Sequence, residues 1–297
     1  MSSVSKSVPD YATYTAPEFR DEFVADMERP SPLAQLSQDG IVRLSYDPAA
    51  YDVRALVGDA LAAAGMIDRR ELTRRGDCLE WLHELVAPEH QAMDRSQQSA
   101  AARVLYEMPT AVAAVYDRLL TDVVVPALGR GPVYLQRTPT FRVFFPNAPG
   151  YPGATSYHSD IMIGHNPREV NVFVPLVRTE GTRSLLMANL ADSLQVLREY
   201  DYDFGRFGSD TQESASLQER LGRLCQPLRC EVGDVVVFDS RCVHAGPHNK
   251  TPLTRVTFDA RILPDAEVRA QKNAYRGLGR RRADFAIGQY FTAHAVG

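Results

Sequence analysis

His158 and Asp160 stand two apart in the stretch TSYHSDIMIGHNP (155–167), with His165 close behind. On extended backbone, residues two apart project to the same side. An imidazole nitrogen and a carboxylate oxygen can therefore reach one point. Taken alone this pairing is weak: with seven histidines and 37 acidic residues among 297, roughly one His-x-Asp/Glu triplet is expected by chance, and one is found. His244 gives it weight, because it closes the strongly apolar stretch in GDVVVFDSRCVHAGPHN (233–249). Were two histidines and one carboxylate to meet on one side of a metal ion, three positions would stay open, the arrangement of non-haem Fe(II) oxygenases. Such positions can take a bidentate 2-oxo acid and O2 together.

A short link, PHNKTP, separates the His244 segment from TRVTFDARIL (254–263). Read as an antiparallel hairpin, this returns Arg255 to within about one or two residues of the level of His244. Arg255 shares its face with Thr257, Asp259 and Arg261, while Val256, Phe258, Ala260 and Ile262 take the other. A polar inner face suits a wet, ligand-filled pocket better than a sandwich core. Arg255 offers an always-charged fork for a distal carboxylate, and Thr257 a hydroxyl donor to the same group.

Two halves of different texture must position these residues. Residues 1–16 read as a flexible tail, and 17–37 as helical but interrupted by Pro30 and Pro32. DGIVRL (39–44) is a turn into a short strand. Helical patterns follow at 51–65, 77–86, 88–108 and 109–129, the last opening on proline and ending near glycine. Past Gly131, strands are expected at 133–146, 169–177, 182–188, 227–240 and 254–263, with helices at 193–204 and 214–224 as an insertion. Helices first and short strands after predict a β-sandwich or jelly roll with a helical layer outside. The organisation expected is a single domain over 1–297: tail 1–16, helical layer with an incoming strand 17–130, core 131–263 with an insertion near 193–224, and a C-terminal extension 264–297.

The order of HSD (158–160), an apolar strand (170–177), EGTRSLLM (180–187), GDVVVFD (233–239), CVHAG (242–246) and TRVTFDAR (254–261) resembles the phytanoyl-CoA hydroxylase-like Fe(II)/2-oxoglutarate dioxygenases, which include many bacterial antibiotic-biosynthesis enzymes. The likeness covers roughly 131–263, and the eleven-residue interval from His244 to Arg255 is its most specific part. EGTRSLLM departs from the commoner Asn-Gly version. The resemblance implies a double-stranded β-helix (jelly roll, cupin-like) core. It implies Fe(II) held by His158, Asp160 and His244, and 2-oxoglutarate held by Arg255. The implied reaction consumes O2, releases succinate and CO2, and oxidises an unactivated C–H bond of a small polar metabolite or natural-product intermediate. A carboxylate at 160, where related halogenases carry a small residue, points to hydroxylation, desaturation or oxidative cyclisation.

Further polar residues on the expected strands could also face the pocket. Asn171, Thr182 and Gln136 are placed near the co-substrate, and Arg142, His165 and His248 near the substrate, with no catalytic group expected beyond the iron ligands. Trp81 is read as core, and Cys242 as a buried bystander rather than a ligand. Two other classes stay open: a jelly-roll metalloenzyme that needs no 2-oxoglutarate, and a non-catalytic ligand-binding jelly roll. With net charge −4 and 24% charged residues, nothing favours nucleic acid or an anionic membrane. The start is polar and lacks an apolar signal region, and the four cysteines form no CxxC pair, so a cytoplasmic protein with reduced thiols is expected.

Overall fold

The alternating strands past Gly131 assemble, in the computed structural model of the chain, into two antiparallel sheets. The structure describes residues 17–74, 78–93, 98–107, 109–129, 131–148, 156–270 and 287–294. The expected tail and most of the basic C-terminal stretch lie outside them. Helices are α1 (Pro17–Glu28), α2 (Val53–Ala63), α3 (Arg69–Arg74), α4 (Leu82–Leu85), α5 (Ala100–Tyr106), α6 (Thr110–Leu119), α7 (Val125–Ala127), α8 (Leu190–Glu199), α9 (Phe204–Glu213), α10 (Ala215–Leu224) and α11 (Asp265–Ala270). Strands are β1 (Ile41–Ser45), β2 (Val133–Gln136), β3 (Thr140–Phe144), β4 (Val170–Pro175), β5 (Leu186–Met187), β6 (Gln226–Pro227), β7 (Asp234–Asp239), β8 (His244–Ala245), β9 (Arg255–Pro264) and β10 (Phe291–His294).

The large sheet runs β1-β7-β4-β9-β2-β10, with β3 also paired to β9. The small sheet runs β6-β5-β8 and is extended by a bridge between His158 and His244. Successive strands alternate between the two: β3 large, the His158 bridge small, β4 large, β5 and β6 small, β7 large, β8 small, β9 large. This winding is a double-stranded β-helix, the jelly roll.

Period-2 alternation decides which residues reach the interior. Val143, Val172, Val237, Val256 and Phe258 turn outward onto Val57, Leu61, Tyr116 and Leu119 of the helical layer, in one continuous apolar cluster. Each such fully buried side chain contributes about 1.5–3 kcal/mol. The opposite face carries Arg142, Phe144, Asn171, Phe173, Phe238, Arg255, Thr257, Asp259 and Arg261. Register sets these in rows: Phe238 beside Asn171 beside Arg261, Phe173 beside Asp259 beside Thr140, and Thr257 beside Arg142. The insertion α8–α10 packs Leu194, Leu197, Phe204, Phe207, Leu217 and Leu221 with Phe173, Val236 and Phe238. Its helices open on side-chain caps from Asn189, Asp203 and Ser214, each worth about 1 kcal/mol.

Several elements differ from expectation. Of the pattern at 88–108, the described residues hold a single turn at Pro88–His90 and then α5, and 94–97 and 108 lie outside them. The helix at 109–129 widens into a π-type turn over Leu120–Val124. Pro126 follows it, and its missing N–H breaks the regular ladder there. The strand expected at 182–188 is a 3-10 turn, Gly181–Arg183, then two residues of β5. The strand expected at 227–240 splits into β6 and β7. The insertion holds three helices rather than two and begins at Leu190. α3 and β10 were not expected. Trp81 is 37% exposed and is no core residue. The hairpin reading also fails: β8 pairs with β5 and β9 with β3 and β4, so the link after His244 crosses from one sheet to the other.

Candidate metal centre and its polar wall

A two-bond backbone bridge brings the distant histidines together. The His158 amide donates to the His244 carbonyl at 2.9 Å, and the His244 amide to the His158 carbonyl at 2.8 Å. The two rings lie 4.4 Å apart, centroid to centroid. Asp160 then opens a 3-10 turn ending at Ile163, which Gly164 closes at φ 101°, a backbone angle that favours glycine. The Asp160 amide donates to the Ser240 carbonyl at 3.2 Å, pinning the turn to the loop before β8.

Ligand atoms of His158, Asp160 and His244 all lie within 4.8 Å of one another. Oδ1 of Asp160 is 3.6 Å from Nε2 of His244 and 3.9 Å from Nε2 of His158. Nδ1 of His158 faces the Ser156 carbonyl at 3.1 Å, and Nδ1 of His244 the Cys242 carbonyl at 3.0 Å. A carbonyl can only accept, so each Nδ1 carries the proton and each Nε2 lone pair points into the cluster. Burial, then His244, pushes His158 down to about 3, so its ring is neutral at ordinary pH. Burial alone would raise the Asp160 carboxyl, but Arg261, His244, His165 and His158 hold it well below the usual range. Two imidazoles and a carboxylate are a fitting donor set for a divalent transition ion. The Cys242 thiol is fully buried and pushed well up by burial, and it is not part of the cluster.

Beyond the cluster, charged side chains continue along β9. Arg261 places Nη2 at 2.8 Å and Nε at 3.2 Å from Oδ2 of Asp160, and Nη1 at 2.8 Å from Oδ2 of Asp259. Oδ1 of Asp259 accepts from Nε of Arg142 at 3.3 Å. Burial would raise Asp259, yet Arg142 and Arg261 keep it low. Arg255, 2% exposed, donates from Nη1 to the Ser184 carbonyl at 3.1 Å, and its Nε has no partner. Its guanidinium carbon is 4.9 Å from the Phe144 ring centre and 5.6 Å from that of Phe173. Burial, then Arg142, pushes Arg255 down to about 9. It has no carboxylate partner among the described residues. The Thr257 hydroxyl and both amide atoms of Asn171 are likewise buried without partners, as is Oε1 of Gln136. Native proteins rarely leave so many buried polar atoms unpaired in one region unless a ligand or water completes them.

The other candidates lie elsewhere. His165 is 3% exposed, with Nδ1 at 2.7 Å from Glu169, so it sits behind the cluster rather than at an open mouth. The four-residue spacing of His165 and Glu169 in one tight loop makes that pairing. Thr182 accepts from the Lys250 amide at 3.0 Å and braces the link before β9. His248 is half-buried in that link. The sequence reading placed Asp259 and Arg261 on the inner face without a role. It missed the cradle of Ser184, Phe144 and Phe173 around Arg255, which depends on contacts from three separate strands or turns.

No family model matches the chain. It is similar to the streptomycin biosynthesis protein StrG of Streptomyces griseus, 29% identical over 220 residues, which are 71% of this chain and 85% of that protein. Among solved structures it aligns with the non-heme alpha ketoglutarate dependent epimerase SnoN from nogalamycin biosynthesis (15% identity, 84% of this chain and 83% of that one, TM-score 0.39). It also aligns with EctD from S. alaskensis with 2-oxoglutarate and 5-hydroxyectoine (16% identity, 80% and 78%, TM-score 0.39). Overlays this loose transfer no residue roles. No helix among the described residues is long and apolar enough to cross a membrane.

Proposed function

We propose that this chain is an Fe(II)- and 2-oxoglutarate-dependent oxygenase that oxidises a C–H bond of a small polar metabolite. The observation that carries the reading is the pairing of two features on one interior. A three-ligand cluster within 4.8 Å shares the barrel with Arg255, a buried guanidinium with no carboxylate partner among the described residues. Three arginines (142, 255 and 261) face two aspartates (160 and 259) here, so the wall already carries excess positive charge. A divalent ion adds to that excess, and a dianionic co-substrate offsets it.

In this reading His158, Asp160 and His244 hold the ion and leave one side open. Arg255 takes the distal carboxylate of 2-oxoglutarate, with Thr257 as a second donor and Asn171 and Gln136 supplying further buried contacts. Phe144 and Phe173 fix the Arg255 guanidinium and keep water from it, which strengthens the charge pairing. Bound together, ferrous ion and 2-oxoglutarate would supply the oxidant, with succinate and CO2 as co-products. Arg142, the more accessible arginine of the wall, faces the substrate side. The likeness to StrG supports a place in antibiotic biosynthesis, and hydroxylation is the outcome we favour.

Anaerobic calorimetry tests the reading. Binding of 2-oxoglutarate should require Fe(II) or Mn(II) and should vanish in His244→Ala. Metal-independent binding, or none of either ligand by the folded protein, would refute it.

A further inference from the structure

Arg261 grips one oxygen of Asp160 and not the other. Guanidinium–carboxylate pairs usually match two N–H groups to two oxygens. Here Nε and Nη2 both converge on Oδ2, at 3.2 and 2.8 Å. Oδ1 is left facing the two histidine nitrogens at 3.6 and 3.9 Å. Arg261 is itself fixed, because its Nη1 is held by Asp259, which is held in turn by Arg142. Arg142, Asp259 and Arg261 all stand on the large sheet, whose register puts Arg261 beside Asn171.

From this geometry we infer that Arg261 is a positioning residue that would keep Asp160 a one-oxygen ligand, so that a bound ion would retain all three of its open positions. The inference rests on the ferrous reading above. A free carboxylate can chelate an ion through both oxygens, and that would fill a position otherwise available to a small ligand. A guanidinium on Oδ2 blocks this mode. It also places a like charge near the ion, so its removal should tighten metal binding while closing a position. The role differs from that of Arg255, which holds no aspartate among the described residues.

Mn(II) alone is the probe, read by water-proton relaxation, which counts exchangeable waters on the ion without any turnover. Wild-type protein should bind Mn(II) with all its open positions hydrated. Arg261→Met, of similar length and able to stay buried, should bind Mn(II) several-fold more tightly with one coordinated water fewer. Arg261→Lys, which keeps a charged donor for Oδ2, should restore the wild-type water count. An unchanged water count in the folded Met variant overturns the inference while leaving the ferrous reading intact. Failure of wild-type protein to bind Mn(II) overturns both. Independently of any variant, a crystal structure of the wild-type Mn(II) complex should show Oδ1 on the ion and Oδ2 on Arg261. Chelation through both oxygens overturns the inference.

Discussion

Replacing Arg255 by methionine should stabilise the ligand-free protein and abolish its grip on 2-oxoglutarate. Burial lowers the Arg255 guanidinium to about 9, roughly three and a half powers of ten below an arginine in water, a cost of about 5 kcal/mol. Against this stand the Phe144 and Phe173 contacts and the hydrogen bond to Ser184, together about 2–3 kcal/mol. Methionine fills similar space without the charge, so a net gain of about 2 kcal/mol, or roughly 3 °C in melting temperature, is expected. The sign follows from linkage. The folded-state value lies below the unfolded one, so the penalty is full below pH 9 and fades above it as the folded protein sheds the proton. The advantage of Arg255→Met should therefore be largest near neutrality and shrink above pH 9. Losing one partner of a buried charge pair costs about 2–5 kcal/mol, so 2-oxoglutarate should bind about 30-fold to several thousand-fold more weakly. Differential scanning calorimetry across pH and titration of the Mn(II)-loaded protein measure both. A variant that melts well below wild type and still binds 2-oxoglutarate normally would refute the reasoning.

Thr257→Val removes a buried hydroxyl with no partner among the described residues. The ligand-free protein should lose no stability, while the KM for 2-oxoglutarate should rise about 10- to 100-fold. An unchanged KM would remove Thr257 from the co-substrate site. Asp160→Ala deletes a ligand and leaves Arg261 with Asp259 alone. It should bind no Mn(II) and lose about 3 kcal/mol in urea denaturation, and wild-type metal affinity would contradict the assignment. Glu80→Gln breaks the pair between the helical layer and Arg183, 3.2 Å apart with the Arg183 side chain 3% exposed. A loss of about 1–3 kcal/mol is expected, and equal urea midpoints would show that this brace contributes nothing.

The polar alternation of TRVTFDAR was legible from spacing alone, because period-2 projection holds wherever a strand forms. Its partners were not. Arg261 meets Asp160 across 101 residues, and a sheet register that no local pattern encodes decides the meeting. The same limit produced the hairpin reading: a short link suggested one, whereas the double winding sends β8 and β9 to opposite sheets. His158 and His244 were singled out by residue type and flanking strands, yet the bridge that unites them is backbone hydrogen bonding, invisible to side-chain chemistry. His165 looked like a loop histidine, and only its fold around Glu169 buries it. β10 and α3 carry too few residues for periodicity to register.

The central claim is that one interior holds a ferrous ion and 2-oxoglutarate together. An anaerobic absorption difference spectrum tests it most directly. A visible charge-transfer band should appear only when both Fe(II) and 2-oxoglutarate are added, and should be missing in Asp160→Ala and strongly weakened in Arg255→Met at the same concentrations. A flat spectrum from folded wild-type protein saturated with both would contradict it.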